Sequence, residues 1–413
     1  MKKAILTSIL RGSQLAFLGA TIGFQSQAVD FKVFGTNEPA MDFHGFASQG
    51  YIYNTGNNNY LGGKSSEGTF DFREYGVNAS IAKGKWRVGA QLFGQKLGAY
   101  GEDKITLDWA TVDYQASQYI GLRVGRVKTP RGLYNEALDL DFTRPFVLLP
   151  QSVYDARLRD FNSSFDGGMF YGNIPMGKAG SLDYRAYAGH ISLSTQSGAN
   201  DYFNNDAALV NKSFTMDATF GGSLFWNTPV EGLRFGYSFQ GFKGFSADRF
   251  VNFGPVPIIG TRATDLYQRH LLSGEYTMGK WAFAAEGGVD TAKYSIWFPT
   301  LPIFGRSPEN FQEVYAYVSA TRQITKKLSM GAYYSYSDDS LKFPTHFIPD
   351  TDLPQTDIAL AARYDFTDYL LGKIEVHYLD GSGKLFDTAA MSQPISKREN
   401  QWMMIDAKLT FYF

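Results

Sequence analysis

The chain has 413 residues, 39 of them Lys or Arg and 40 Asp or Glu, for a formal net charge of −1. Without a basic surplus it has no surface for phosphate backbones, which argues against a nucleic-acid partner. It has no cysteine, so disulfides and thiolate metal sites are excluded, and its 26 Tyr, 34 Phe and 43 Gly suit strands and tight turns better than helices.

The first 28 residues, MKKAILTSILRGSQLAFLGATIGFQSQA, have a basic start at Lys2 and Lys3, a mostly apolar stretch, and small residues at Ser26 and Ala28. This is the pattern of a secretory signal peptide cleaved after Ala28. Arg11 interrupts the apolar run, which favours a signal over a membrane anchor. Without Lys2, Lys3 and Arg11 the mature chain holds 36 basic against 40 acidic residues, a net charge of −4. Later apolar runs such as FVLL at 146–149 are far short of the roughly 20 residues that a membrane helix needs.

From there on the pattern has a period of two. In LGKIEVHYL, Ile374, Val376 and Tyr378 share one face, and Lys373, Glu375 and His377 the other. GLRFGYSFQG sets Leu233, Phe235, Tyr237 and Phe239 against Arg234, Ser238 and Gln240. Such alternation marks half-buried strands. In chain order it predicts sixteen: 43–53, 69–82, 85–95, 104–115, 119–128, 164–173, 181–191, 215–227, 231–243, 266–278, 280–294, 310–323, 327–338, 356–366, 370–380 and 401–413. The pattern is weakest at 104–115, where Asp108 and Asp113 have opposite parity.

Short turns (AKGK, QASQ, PMGKAG, PVEG, MGK, ITKK, FTDYL) alternate with long polar segments at 54–68, 96–103, 129–163, 192–214, 244–265, 295–309, 339–355 and 381–400. The fold class expected is all-β: a transmembrane antiparallel β-barrel of about 16 strands, with short periplasmic turns and long extracellular loops, filling 29–413 as one domain. A soluble sandwich or propeller also alternates. However, strands of 10–13 residues exceed the 5–6 usual in soluble sheets. Trp86, Trp226, Trp281 and Trp402 fall near strand ends, where an interfacial girdle would lie.

Bilayer physics turns the apolar parity outward. The lumen then receives Glu74, Arg87, Gln91, Arg123, Asp166, Asp183, Arg185, Asp217, Arg234, Glu275, Glu286, Arg363, Lys373, Glu375, His377, Asp406 and Lys408. So many charges suit an aqueous channel better than a dry core, because unpaired buried charge is costly. The chain ends on IDAKLTFYF, where Leu409, Phe411 and Phe413 share the outward parity, so the carboxyl end is expected to be an ordered closing strand.

The third long loop, 128–163, is the longest and carries Leu133, Tyr134, Leu138, Leu140, Phe142, Phe146, Val147, Leu148 and Leu149, which a solvated loop does not need. The constriction expected from it comprises Arg87, Arg123, Arg126, Lys128, Glu136, Asp139, Asp141, Arg144, Arg157 and Arg159. Either Glu136, Asp139 and Asp141 face Arg87 and Arg123 across the opening and set up a transverse field, or such pairs pin the loop to the wall.

The last ten residues resemble the sorting signal read by the barrel assembly machinery of bacterial outer membranes. The architecture resembles a bacterial outer-membrane porin. The run GLRVGRVKTPRGLYNEALDLDFTRPFVLLPQSVYDARLRDF is similar to the phosphate-selective-porin-like group of sixteen-stranded trimeric porins. That resemblance implies a homotrimer in the outer-membrane lipid of a Gram-negative bacterium, reached through the periplasm. It also implies a third loop folded into the barrel, passive diffusion of small hydrophilic solutes and ions, and no cofactor. The chain departs from the group in its third loop, where Lys128, Arg131, Arg144, Arg157 and Arg159 are balanced by Glu136, Asp139, Asp141, Asp155 and Asp160.

Three other readings compete. An enzyme is disfavoured, because His44, His190, His270, His346 and His377 are scattered with no nucleophile motif beside them. A saturable channel for a small anion, sugar or aromatic acid would use loop aromatics such as Tyr202, Phe203, Phe250, Phe253, Trp297, Phe298 and Phe347. A structural or adhesive barrel would not conduct.

Overall fold

The computed structural model describes residues 29–32, 40–56, 58–61, 65–98, 100–195, 197–200, 209–251, 258–342, 351–385 and 398–413. The leader expected at 1–28 lies outside the described residues, as do His346, Tyr202, Phe203, Phe253 and Phe347. The strands, in chain order, are β1 (Val29–Lys32), β2 (Ala40–Asn54), β3 (Phe72–Lys83), β4 (Trp86–Leu97), β5 (Thr106–Gln115), β6 (Gly121–Lys128), β7 (Ser164–Pro175), β8 (Ser181–His190), β9 (Leu209–Thr215), β10 (Ala218–Asn227), β11 (Leu233–Val251), β12 (Ile258–Met278), β13 (Trp281–Trp297), β14 (Arg306–Gln323), β15 (Leu328–Lys342), β16 (Thr351–Asp365), β17 (Leu370–Gly381) and β18 (Gln401–Tyr412).

Each strand pairs antiparallel with its neighbour, and β18 returns to β2 in register from Tyr412↔Phe46 to Met404↔Asn54. β9 and β10 share one place in the wall, both against β11, and β1 is a short strand against the start of β2. The result is a closed sixteen-stranded antiparallel β-barrel, and closure is the answer to the edge-strand problem. The carboxyl end is part of the closure. The Phe413 amide donates to the Gly45 carbonyl at 3.0 Å and the Gly45 amide to the Phe413 carbonyl at 3.2 Å. Gly45 leaves room for the Phe413 ring; a Cβ there would stand 2.5 Å from the ring.

The period of two becomes the two faces of the wall. On β18, Leu409 is 50% and Phe411 44% exposed outward, while Asp406 and Lys408 are 0% and 3% exposed inside. Trp86, Trp226 and Trp281 lie outward. Trp402 does not join them: it is buried inside against Tyr60, because even parity on β18 is lumenal. Asp166 also differs from its expected place. Phe165 and Met169 take the lumenal parity of β7, which puts Asp166 on the outer face. Asp217 lies between β9 and β10 rather than within a strand.

The weak alternation at 104–115 has a structural cause. The β4–β5 register shifts between Gln91 and Leu92, so that Gln91 faces Trp109 while Leu92 faces Leu107. The extra residue, Asp108, reverses the parity above it, and both Asp108 and Asp113 end up buried. Several strands are longer than their apolar alternation: β11 and β12 run through most of 244–265, which reads as loop in the sequence. Polar strand continues there because its backbone still needs ladder partners above the apolar belt.

Candidate functional site

The third loop leaves β6 at Lys128, folds into the barrel, and returns to β7 at Ser164. Few of its backbone groups can join a ladder, so it satisfies them locally in 3-10 turns at Asn135–Ala137, Asp141–Thr143 and Ala156–Leu158, with a short helix at Arg159–Asn162. Its apolar residues find lumenal partners. Phe161 stacks near Phe242, Phe142 stacks on Tyr412 and Phe146 meets Tyr333 edge-on.

Its polar residues reach opposite walls. Strands eight places apart in a ring of sixteen face each other. Arg159 pairs with Asp108 of β5 at 3.0 Å, while Arg131 donates to the Tyr315 hydroxyl of β14 at 3.0 Å. The Arg159 guanidinium lies 3.9 Å over Phe93 of β4, while the Leu133 amide donates to Glu286 of β13 at 2.9 Å. Glu136 meets Arg185 of β8 at 3.4 Å, while Asp141 meets Lys373 of β17 at 2.9 Å. The loop therefore bridges three diameters of the lumen.

The ten residues of the expected constriction do not gather at one place; three of them form a cluster and the other seven have separate partners. Lys128, Asp139 and Arg159 come together with Asp108: Lys128 Nζ is 2.6 Å from Asp108 and 2.5 Å from Asp139, and Arg159 is 2.7 Å from Asp139. Burial works against the Asp139 charge, but Arg159 and Lys128 outweigh it and hold the carboxyl well below the usual range. Asp141 sits between Lys373 and Lys408 and accepts from Thr410 at 2.7 Å. Burial again opposes its charge, and Lys373, Lys408 and Arg144 again win. Arg144 donates to the Leu138 carbonyl, and Arg157 pairs with Asp155 at 2.6 Å.

Arg87 and Arg123 stand on the lumenal wall near the short-turn end. Arg87 is exposed and donates to the Ser80 hydroxyl at 3.0 Å; Arg123 pairs with Asp113 at 2.6 Å and lies over Tyr171. Asp139 and Asp141 are engaged elsewhere, and Glu136 meets Arg185. Arg126 lies on the outer face, 3.5 Å from Asp166, because Val127 takes the lumenal parity.

Sequence reasoning missed Tyr154 and Tyr315, whose hydroxyls bond Glu286 and Asp290, and Lys384, which is buried among three carboxylates. Tyr315 reads as apolar in a strand alternation, and a single tyrosine or lysine in a loop gives no periodic signal. His377 is ringed by Asp357, Glu375 and Asp406 at 3.0, 3.1 and 3.3 Å. Among the described residues no group of three or more His, Asp or Glu could hold a metal ion.

No family model matches the chain, and no curated protein matches it. Solved structures do match. The in-vitro folded OmpT of Vibrio cholerae, in a trimer form, covers 91% of this chain and 100% of its own at TM-score 0.52 and 14% identity. The anion-selective porin from Comamonas acidovorans covers 91% and 100% at 0.52 and 12%. The outer membrane channel DcaP of Acinetobacter baumannii covers 93% and 100% at 0.53 and 10%. The chain has the sixteen-stranded barrel fold of these outer-membrane proteins.

Proposed function

We propose that the chain is an outer-membrane porin, a channel and not an enzyme, for passive diffusion of small hydrophilic solutes and ions. One observation carries this reading: a closed wall, apolar outside and ionised inside, surrounds a loop that narrows the lumen. The sector beside the loop keeps solvent-accessible polar groups, namely Arg87, Arg123, Asn173, Asp183 and Arg185. Arg123 is paired with Asp113 and Arg185 with Glu136, so phosphate selectivity has no support in this wall.

We assign it to the outer membrane of a Gram-negative bacterium as a homotrimer, delivered by its leader and assembled through Leu409, Phe411 and Phe413. The outward Arg126–Asp166 pair supports a protomer contact there, since charge is unwelcome against lipid. β6 has eight residues. At about 3.3 Å each and a tilt near 40° it rises about 20 Å, less than the roughly 25 Å belt of outer-membrane barrels.

The bridging of three diameters favours a second reading, a substrate-specific channel with saturable flux. Single-channel recording in a salt gradient tests both. Steps in threes with flux linear in concentration support the open porin, saturating flux supports the specific channel, and a folded protein without steps overturns both.

A further inference from the structure

Lys384 and Leu385 follow β17 in the last long loop, and both side chains are buried inside the barrel, 2% and 0% exposed. They enter different surroundings. Lys384 Nζ lies 2.6 Å from Glu313 of β14, 3.5 Å from Asp339 of β15 and 3.6 Å from Asp155 of the third loop. Its amide donates to the Gln355 side chain of β16 at 2.9 Å. Leu385 joins an apolar cluster with Val147 and Leu148 of the third loop, Tyr60 and Leu61 of the first, Tyr100 of the second and Trp402 of β18.

A lysine taken from water into such a cage is costly unless its charge is met. Here burial opposes the ammonium, and Asp339, Glu313 and Asp155 more than offset it, raising its pKa above the ordinary lysine value. Asp155 is also held by Arg157, and burial of its carboxylate is outweighed by Arg157 and Lys384, which keep it below the usual range. The third loop is therefore gripped twice by one dipeptide, through Asp155 and through Val147–Leu148.

Resting on the porin reading, we infer that Lys384–Leu385 is a latch on the extracellular side that positions the third loop and so sets the aperture of the channel. Lys384 touches no permeant ion and acts through the loop. It bridges two wall strands and the loop with one ammonium, so removing that ammonium loosens the loop at Asp155 while the wall bonds of Val147, Ser152 and Tyr154 and the barrel ladder stay in place.

The test is planar-bilayer recording of the refolded chain and of K384M, K384R and L385A, with folding checked by heat-modifiable gel mobility. K384M and L385A are expected to raise single-channel conductance roughly 1.5-fold or more and to add rapid flicker, since the narrowest point sets the resistance of a pore. K384R is expected to restore the wild-type trace, which a merely structural loss would not predict. If K384M does not fold, E313Q/K384M removes one anion with the cation and is expected to show the same widening. Wild-type conductance and noise in a folded latch variant would overturn the inference alone; silence of the wild-type protein would overturn the porin reading beneath it.

Discussion

Asp141 offers the sharpest check on how the third loop is held. Its carboxylate is fully buried, 2.9 Å from Lys373 and 3.3 Å from Lys408, with the Thr410 hydroxyl donating at 2.7 Å. Removing one partner of a buried pair costs about 3–5 kcal/mol, because the other charge stays buried and uncompensated. In Asp141→Asn, Lys408 keeps Glu74, and Lys373 keeps the carbonyls of Asp141 and Phe146. The expected loss is therefore at the low end, about 3 kcal/mol, or more than 100-fold in the folding equilibrium. Urea unfolding of the refolded barrel in lipid vesicles, followed by tryptophan fluorescence, measures it. The pH dependence fixes the sign. A carboxyl depressed in the folded state stabilises fully above its unfolded value near 3.9 and loses that contribution only as pH falls through the depressed value. The gap between wild type and D141N should therefore be constant from pH 8 down to about 5 and collapse only in strong acid. A variant within about 0.5 kcal/mol of wild type, or a gap that fades between pH 7 and 5, would refute the buried anchor.

Arg123→Gln leaves Asp113 with Tyr171 as its remaining side-chain partner, so the reversal potential in a KCl gradient should move toward cation preference; an unchanged potential would remove this wall from the selectivity path. Arg126→Gln should cost the isolated barrel less than about 1 kcal/mol, since the pair with Asp166 is half-exposed, yet lower the temperature at which the trimer dissociates on unheated gels. Gly45→Val should displace the Phe413 ring and slow barrel closure in refolding, while Gly84→Val, at a site with nothing within 4 Å but a positive φ, should disturb only its turn.

The strands were legible because a wall with lipid on one side and water on the other imposes period two directly on the sequence. β18 is the clearest case, every second residue from Met403 to Phe411 turning outward. The apolar residues of the third loop, which a solvated loop has no use for, pack into buried clusters with wall residues. Parity reading failed at a bulge and where buried apolar residues take the lumenal face. The bulge at Asp108 brings two carboxylates of opposite parity inside, and the parity of Val127 puts Arg126 and Asp166 outside.

The sequence by itself determined the class of fold and which face of each strand is apolar, since both follow from neighbours one or two residues apart. Only the tertiary structure decided which charges meet. Asp141 and Lys373 are 232 residues apart, and Asp155 and Lys384 nearly as far. Their pairing depends on barrel closure, which sets a loop from one wall against strands on the opposite one, and no local pattern encodes that distance.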